Sequence, residues 1–164
     1  SLGMPVIYYG EEVARGGHEW PMNRNDMPWG ERDVLPGKGI ARDEGLRDFY
    51  KLLIRVRKEH PALTQGNYTL LTLADDTTTN VAAGPQTVEG SAALAFVRRD
   101  AASGDQVLVI ANREDKALAV DVAAPAEWPA RPARDKLSGE TVSAAEGRIK
   151  LEMAPKSVRI ITPA

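Results

Sequence analysis

Carboxylates, amides, guanidinium groups and indoles crowd the first thirty residues of this chain: Glu11 and Glu12 are adjacent, and Glu19, Trp20, Asn23, Arg24 and Trp29 follow. Neighbouring carboxylates invite an acid–base reading, which requires both groups on one side of a substrate. On a strand, successive side chains point to opposite faces, so Glu11 and Glu12 straddle the backbone unless a bend intervenes. Glu12 then has two uses. It is either a buried carboxylate that needs a partner, for which Arg24 is the candidate, or a support for the floor of a site. Asn23 and Arg24 carry donors for ligand hydroxyls or for loop backbone, the commoner use of polar loop residues. Trp20 and Trp29 can stack on a ring-shaped ligand through their apolar faces or lie buried under a loop, which is the commoner use.

Other chemistries are excluded by residue type or spacing. His18 and Glu19 are not followed by the second His of H-E-x-x-H, and His60 stands at a helix end beside Pro61, so no metal is expected. The phosphate-binding pattern G-x-x-x-x-G-K-[ST] is absent, and Gly10 precedes two carboxylates that repel phosphate. No cofactor is expected. With no cysteine there is no disulfide, thiolate metal site or thiol nucleophile. A formal net charge of -2 without a basic block makes nucleic acid a poor partner. No apolar run approaches the roughly 20 residues that span a bilayer, so no membrane partner is expected either. Hydrophobic residues at 43% and charged residues at 27% are the proportions of a folded globule. The compartment stays open. The opening residues, without an initiator Met or a signal-like pattern, read as an internal piece of a longer gene.

The elements that must position these residues follow from periodicity. Pro5–Tyr9 is a short apolar, β-branched run suited to a strand buried on both faces, as in a parallel sheet. Residues 13–40 form a long Gly- and Pro-rich loop, of a length that is usually functional. Leu46, Phe49, Tyr50, Leu53 and Val56 then follow the spacing of one helical face, and Pro61 stops a helix expected over residues 42–59. Beyond Leu63 the period becomes strand-like. Seven runs, Tyr68–Leu73, Ala93–Arg98, Gln106–Asn112, Ala117–Val122, Arg134–Leu137, Arg148–Met153 and Ser157–Thr162, suit an antiparallel sandwich with Greek-key connections. Ala74–Gly90 reads as an extended turn or hairpin. The domains expected are therefore 1–63, a strand, loop and helix forming one βα unit, and 64–164, a β-sandwich. One βα unit cannot close a barrel, which takes eight and roughly 250 residues.

The run Gly3-Met4-Pro5-Val6-Ile7-Tyr8-Tyr9-Gly10-Glu11-Glu12 resembles the last barrel strand of the alpha-amylase superfamily, glycoside hydrolase family 13, with its pattern G-x-P-x-I-Y-Y-G-[DE]-E. Gly16-Gly17, Pro21, Asn23-Arg24, Met27 and Trp29 are similar to the loop of neopullulanase and maltogenic-amylase-like members, G-G-x-D-P-x-N-R-x-x-M-x-W. Trp20 and Met22 depart from it, Trp20 standing where Asp usually precedes the proline. The end of the helix, Arg55 to Leu63, is similar to the family's final barrel helix. Ala95–Arg98, Val107–Asn112, Asp135–Glu140 and Ala154–Ser157 look like its carboxy-terminal domain.

The resemblance implies the terminal βα unit of a (β/α)8 barrel followed by a Greek-key β-sandwich, and a parent enzyme acting on the α-1,4 linkages of starch or maltooligosaccharides by a retaining mechanism. Its nucleophilic Asp, acid Glu and stabilising Asp belong on the fourth, fifth and seventh barrel strands, upstream of Ser1. This chain alone is therefore expected to hold no catalytic residue and to be inactive. Asn23, Arg24, Glu12 and Trp29 are the substrate-binding candidates, and the partners implied are an alpha-glucan and the rest of the catalytic barrel. The alternative is a non-catalytic carbohydrate-binding or structural sandwich, whose strands and loops offer only Tyr68, Phe96 and Trp128 as aromatic platform.

Overall fold

The computed structural model describes residues 3–16, 19–20, 22–29, 42–71, 93–125, 128 and 132–164. The expected turn at Ala74–Gly90, the far part of the long loop, and His18 lie outside these residues. Two compact units divide the chain, Ser1–Arg55 and Val56–Ala164.

In the first unit the run expected as a buried strand pairs with no other strand among the described residues. Its side chains are exposed, Met4 at 86% and Val6 at 85%. A parallel strand gains burial only from neighbours on both sides, and none is described in this unit. The chain then turns sharply. Gly10 adopts φ 91°, a 3-10 helix runs Glu11–Val13, and the buried Val13 offers its carbonyl to the Asp43 amide at 3.1 Å. Asp43 opens the next helix, its Oδ1 accepting the Leu46 amide at 2.8 Å, as N-cap residues do. That helix, α1, spans Glu44–Glu59, close to the span expected from its apolar period. Of its apolar face only Val56 is buried, while Phe49 stays 39% exposed.

The second unit is a two-sheet sandwich preceded by a short helix, α2 (Pro61–Thr64). Proline at the first helical position suits α2, because that amide has no intrahelical partner. The strands are β1 (Asn67–Leu71), β2 (Ala93–Arg99), β3 (Gln106–Asn112), β4 (Leu118–Ala123), β5 (Ala133–Asp135), β6 (Thr141–Val142), β7 (Ala144–Ala145), β8 (Arg148–Met153) and β9 (Val158–Pro163). A six-stranded sheet orders them β1-β2-β3-β9-β5-β6, and a three-stranded sheet β4-β8-β7, all pairs being antiparallel. The chain leaves the large sheet after β3, crosses to β4, and returns last as β9 between β3 and β5. Every run read as a strand beyond Leu63 holds a strand, residues 72 and 73 of the first run lying outside the described residues. The two-residue strands β6 and β7 are additional, being too short to show alternation.

Alternation sets the core. Ala95, Val97, Leu108, Ile110 and Ile161 from the large sheet meet Val120, Val122, Ile149 and Met153 from the small one. The small sheet turns Asp121, Arg148, Lys150 and Glu152 outward, with Arg148 Nε donating to Asp121 Oδ1 at 2.6 Å. Buried polar groups tie the crossings. Asn112, 3% exposed, donates its side-chain amide to the carbonyls of Lys116 and Ala154 at 2.9 Å and accepts from the Glu114 amide at 2.9 Å. Asp135 is fully buried and accepts from Arg159 and Ser138 at 2.8 Å and from the amides of Leu137 at 3.1 Å and Ile160 at 3.2 Å. Burial alone would raise its pKa. The Arg159 guanidinium and the other donors outweigh that and hold the carboxyl below its usual range.

Gly66 joins α2 to β1 where no side chain fits. A Cβ there would lie 2.7 Å from the Arg99 carbonyl, and its own carbonyl receives Arg98 Nη2 at 2.7 Å. Asp105 secures α2 from outside by accepting the Ala62 amide at 3.0 Å and facing His60 Nδ1 at 3.0 Å.

Candidate functional site

The candidate residues of the first unit sit on a turn and a looped segment whose geometry is set by local hydrogen bonds. Glu11 and Glu12 are not on a strand: a bend does intervene, the 3-10 helix. Each carboxylate is spent on a nearby amide. Glu11 Oε2 accepts from Tyr8 N at 3.2 Å, and Glu12 Oε2 from Gly10 N at 2.9 Å. Neither forms an acid–base pair with the other in this arrangement. Glu12 is half-buried and makes no ion pair with Arg24 among the described residues, which corrects the buried-pair expectation. The cause is that a turn with positive φ at Gly10 brings an unpaired amide within reach of Glu12, leaving no buried charge that needs a guanidinium.

Asn23 and Arg24 lie on a second 3-10 helix, Met22–Arg24, and both side chains are exposed. Neither makes a side-chain hydrogen bond to the loop among the described residues. The expectation that such residues pin their own loop is thus not met. The pinning comes instead from Arg15, which the sequence reading passed over. Its Nε donates to the Asp26 carbonyl at 3.2 Å, its Nη1 to that of Asn23 at 3.5 Å, and its Nη2 to that of Asn25. The guanidinium lies over the Tyr9 ring, 4.5 Å from its centroid, and the Tyr9 hydroxyl donates to the Asn25 carbonyl at 3.1 Å. No sequence motif announces this. The only local signal is an arginine close behind two tyrosines and a glycine.

Trp20 is 73% and Trp29 53% exposed, which corrects the expectation of indoles buried beneath the loop. Pro28, between Met27 and Trp29, is the buried residue of that segment, and a compact ring there leaves the following indole outside. Asn23, Arg24 and Trp29 therefore combine donors and an aromatic surface on one solvent-facing segment, the combination that hydroxyl-rich rings require. Among the described residues no cluster of three or more His, Asp or Glu could hold a metal ion, and no helix is long and apolar enough to cross a membrane.

Comparison with known proteins matches this architecture. Residues 87–160 fit the family model of the maltogenic amylase C-terminal domain. Neopullulanase 2 of Thermoactinomyces vulgaris is 30% identical over 154 residues, 94% of this chain and 22% of that protein. The cyclomaltodextrinase of a Bacillus species is 33% identical over 113 residues, 69% of this chain and 16% of that protein. Among solved structures, a cyclomaltodextrinase superposes with a TM-score of 0.71 at 24% identity, covering 95% of this chain and 22% of its own. The alpha-amylase of Geobacillus thermoleovorans, complexed with acarbose, gives 0.68 at 20% identity, with 98% and 29% covered. The chain spans about a fifth of the length of neopullulanase 2.

The sandwich is thus a carboxy-terminal domain of the amylase type. The chain as a whole is a relative of the alpha-amylase superfamily of glycoside hydrolases, on the side of the neopullulanases and cyclomaltodextrinases.

Proposed function

We propose that the chain is the carboxy-terminal part of a retaining glycoside hydrolase that acts on the α-1,4 linkages of starch-like glucans or maltooligosaccharides. In this reading residues 1–63 are the last strand, loop and helix of its catalytic barrel, and residues 64–164 cap that barrel. The observation that carries it is the relationship to neopullulanase 2, which runs through 94% of the chain, the exposed loop as well as the sandwich. The exposed apolar run Met4 to Tyr9 supports the barrel part, since such a run is stable as a strand only when neighbouring strands cover it.

Asn23 and Arg24 donate to sugar hydroxyls, Trp29 stacks on a ring, and Glu12 supports the turn beneath them. The two carboxyl groups that cleave the bond, about 5–5.5 Å apart in a retaining enzyme, come from the rest of the barrel. Glu11 and Glu12 cannot replace them while each caps a backbone amide. A free-standing carbohydrate-binding sandwich is less favoured. Tyr68 and Phe96 are half-buried against each other with centroids 4.8 Å apart, and Trp128 packs on the core.

The test is to assay the purified 164-residue chain and the full-length protein on maltooligosaccharides, following product anomers by NMR. Turnover by the full-length protein alone, with α-configured product released first, is the expected result. Appreciable turnover by the short chain would overturn the assignment of the catalytic carboxylates.

A further inference from the structure

We propose that Arg15 is the positioning residue of the sugar-binding segment, fixing the backbone beneath Asn23 and Arg24 so that both side chains remain available to substrate. The proposal rests on the reading of that segment given above and adds to it a residue that neither the family resemblance nor the charge pattern singles out. One guanidinium meets three carbonyls within four residues, those of Asn23, Asn25 and Asp26. Arginine suits this task because its donors radiate in one plane and the group is always charged, so each bond is charge-assisted.

The guanidinium is itself held from two directions. Tyr9 lies beneath it at 4.5 Å, and its aliphatic stem runs across Gly10. A Cβ at Gly10 would sit 2.5 Å from Arg15 Cδ and 2.7 Å from its Cβ, and Gly10 has φ +91°. The Arg15 amide also donates to the Gly10 carbonyl at 2.8 Å. The Tyr9-Gly10 pair at the end of the apolar run therefore seats Arg15, and Arg15 in turn seats the loop. A loop carbonyl held by a side chain consumes none of the loop's own side chains, which explains how Asn23 and Arg24 stay exposed on a segment with defined backbone.

The experiment is a thermodynamic cycle in the full-length enzyme, with kcat and KM measured on maltooligosaccharides. The variants are Arg15→Ala, Arg15→Lys, the pair Asn23→Ala with Arg24→Ala, and all three alanine changes together. Arg15→Ala is expected to raise KM roughly tenfold with little change in kcat, since displacing positioned groups by about an ångström weakens their contacts. Arg15→Lys, which keeps charge and stem but loses the planar fork, gives a smaller rise. Because Arg15 acts through Asn23 and Arg24, its effect should vanish once both are alanine.

Gly10→Ala, which displaces the Arg15 stem and leaves the guanidinium intact, should raise KM in the same way. If Arg15→Ala does not fold, Arg15→Lys and Gly10→Ala carry the test. An unchanged KM in the Arg15 variants beside a raised KM in the Asn23/Arg24 pair would overturn the role of Arg15 and leave the sugar-binding reading intact. An Arg15 effect that persists undiminished in the triple variant would reduce Arg15 to general stability. An unchanged KM in the Asn23/Arg24 pair would overturn both.

Discussion

The two units differ in how each satisfies its apolar side chains. In the sandwich, two sheets press their alternating residues together until Leu108, Ile110, Ile149 and Ile161 lose all contact with water. In the first unit, among the described residues, Val13 and Pro28 are buried side chains, while Met4, Val6, Tyr8, Trp20 and Trp29 stand in solvent. The sandwich resolves its hydrophobic pattern by itself. The described residues of the first unit leave theirs largely in solvent. A loop that contributes little to a core is free to present Asn23, Arg24 and Trp29 outward.

Substitutions can break or sharpen this contrast. The largest effect belongs to the sandwich core: Leu108→Ala or Ile149→Ala should cost about 2–5 kcal/mol of unfolding free energy in denaturant titrations of the chain. Val6→Ala should stay within about 0.5 kcal/mol in the same experiment. Comparable losses at Val6 and Leu108 would erase the distinction between the units.

Next comes the buried carboxylate. Asp135→Ala leaves Arg159 without its buried partner and several donors unsatisfied, a loss of roughly 3 kcal/mol. The pH dependence has a definite sign. Since the folded-state pKa of Asp135 lies below the unfolded value of about 3.9, its contribution is complete above that pH and is lost as pH falls through the folded value. Asp135→Asn should therefore flatten the stability profile below about pH 4, measured by thermal melts across that range. A profile unchanged from the natural chain would remove Asp135 as a source of acid sensitivity.

The smallest stability effect is expected at Trp29. Its truncation to alanine should shift the melting temperature hardly at all, because the indole is already 53% exposed, while weakening maltooligosaccharide binding by the full-length protein several-fold. A large drop in melting temperature would instead make Trp29 a packing residue.

Much of the fold was legible beforehand because it rests on short-range periodicity. Apolar residues three and four apart define α1, and alternation defines the strands from Tyr68 to Thr162, which the structure reproduces among the described residues with edges shifted by a residue or two, the end of the Tyr68–Leu73 run lying outside them. The motif around Asp135 to Glu140 also pointed to its domain, although not to the reason. The reason is a buried acceptor shared by β5, the following turn and β9. The candidate site was legible only in part. Asn23, Arg24 and Trp29 were candidates through the family resemblance and their residue types, but their exposure was not readable, since exposure depends on what else packs nearby.

The sequence by itself determined helix α1 and the longer strands of the sandwich, the lack of cysteine, and the family resemblance, because each depends on residues close together along the chain. Tertiary structure alone decided that Glu11 and Glu12 each cap a backbone amide and that Arg15 reaches three carbonyls of a separate segment. Such contacts join residues through a turn whose direction depends on positive φ at Gly10 and at Ala14. No periodicity encodes that direction, and the free energy of the folded chain selects it.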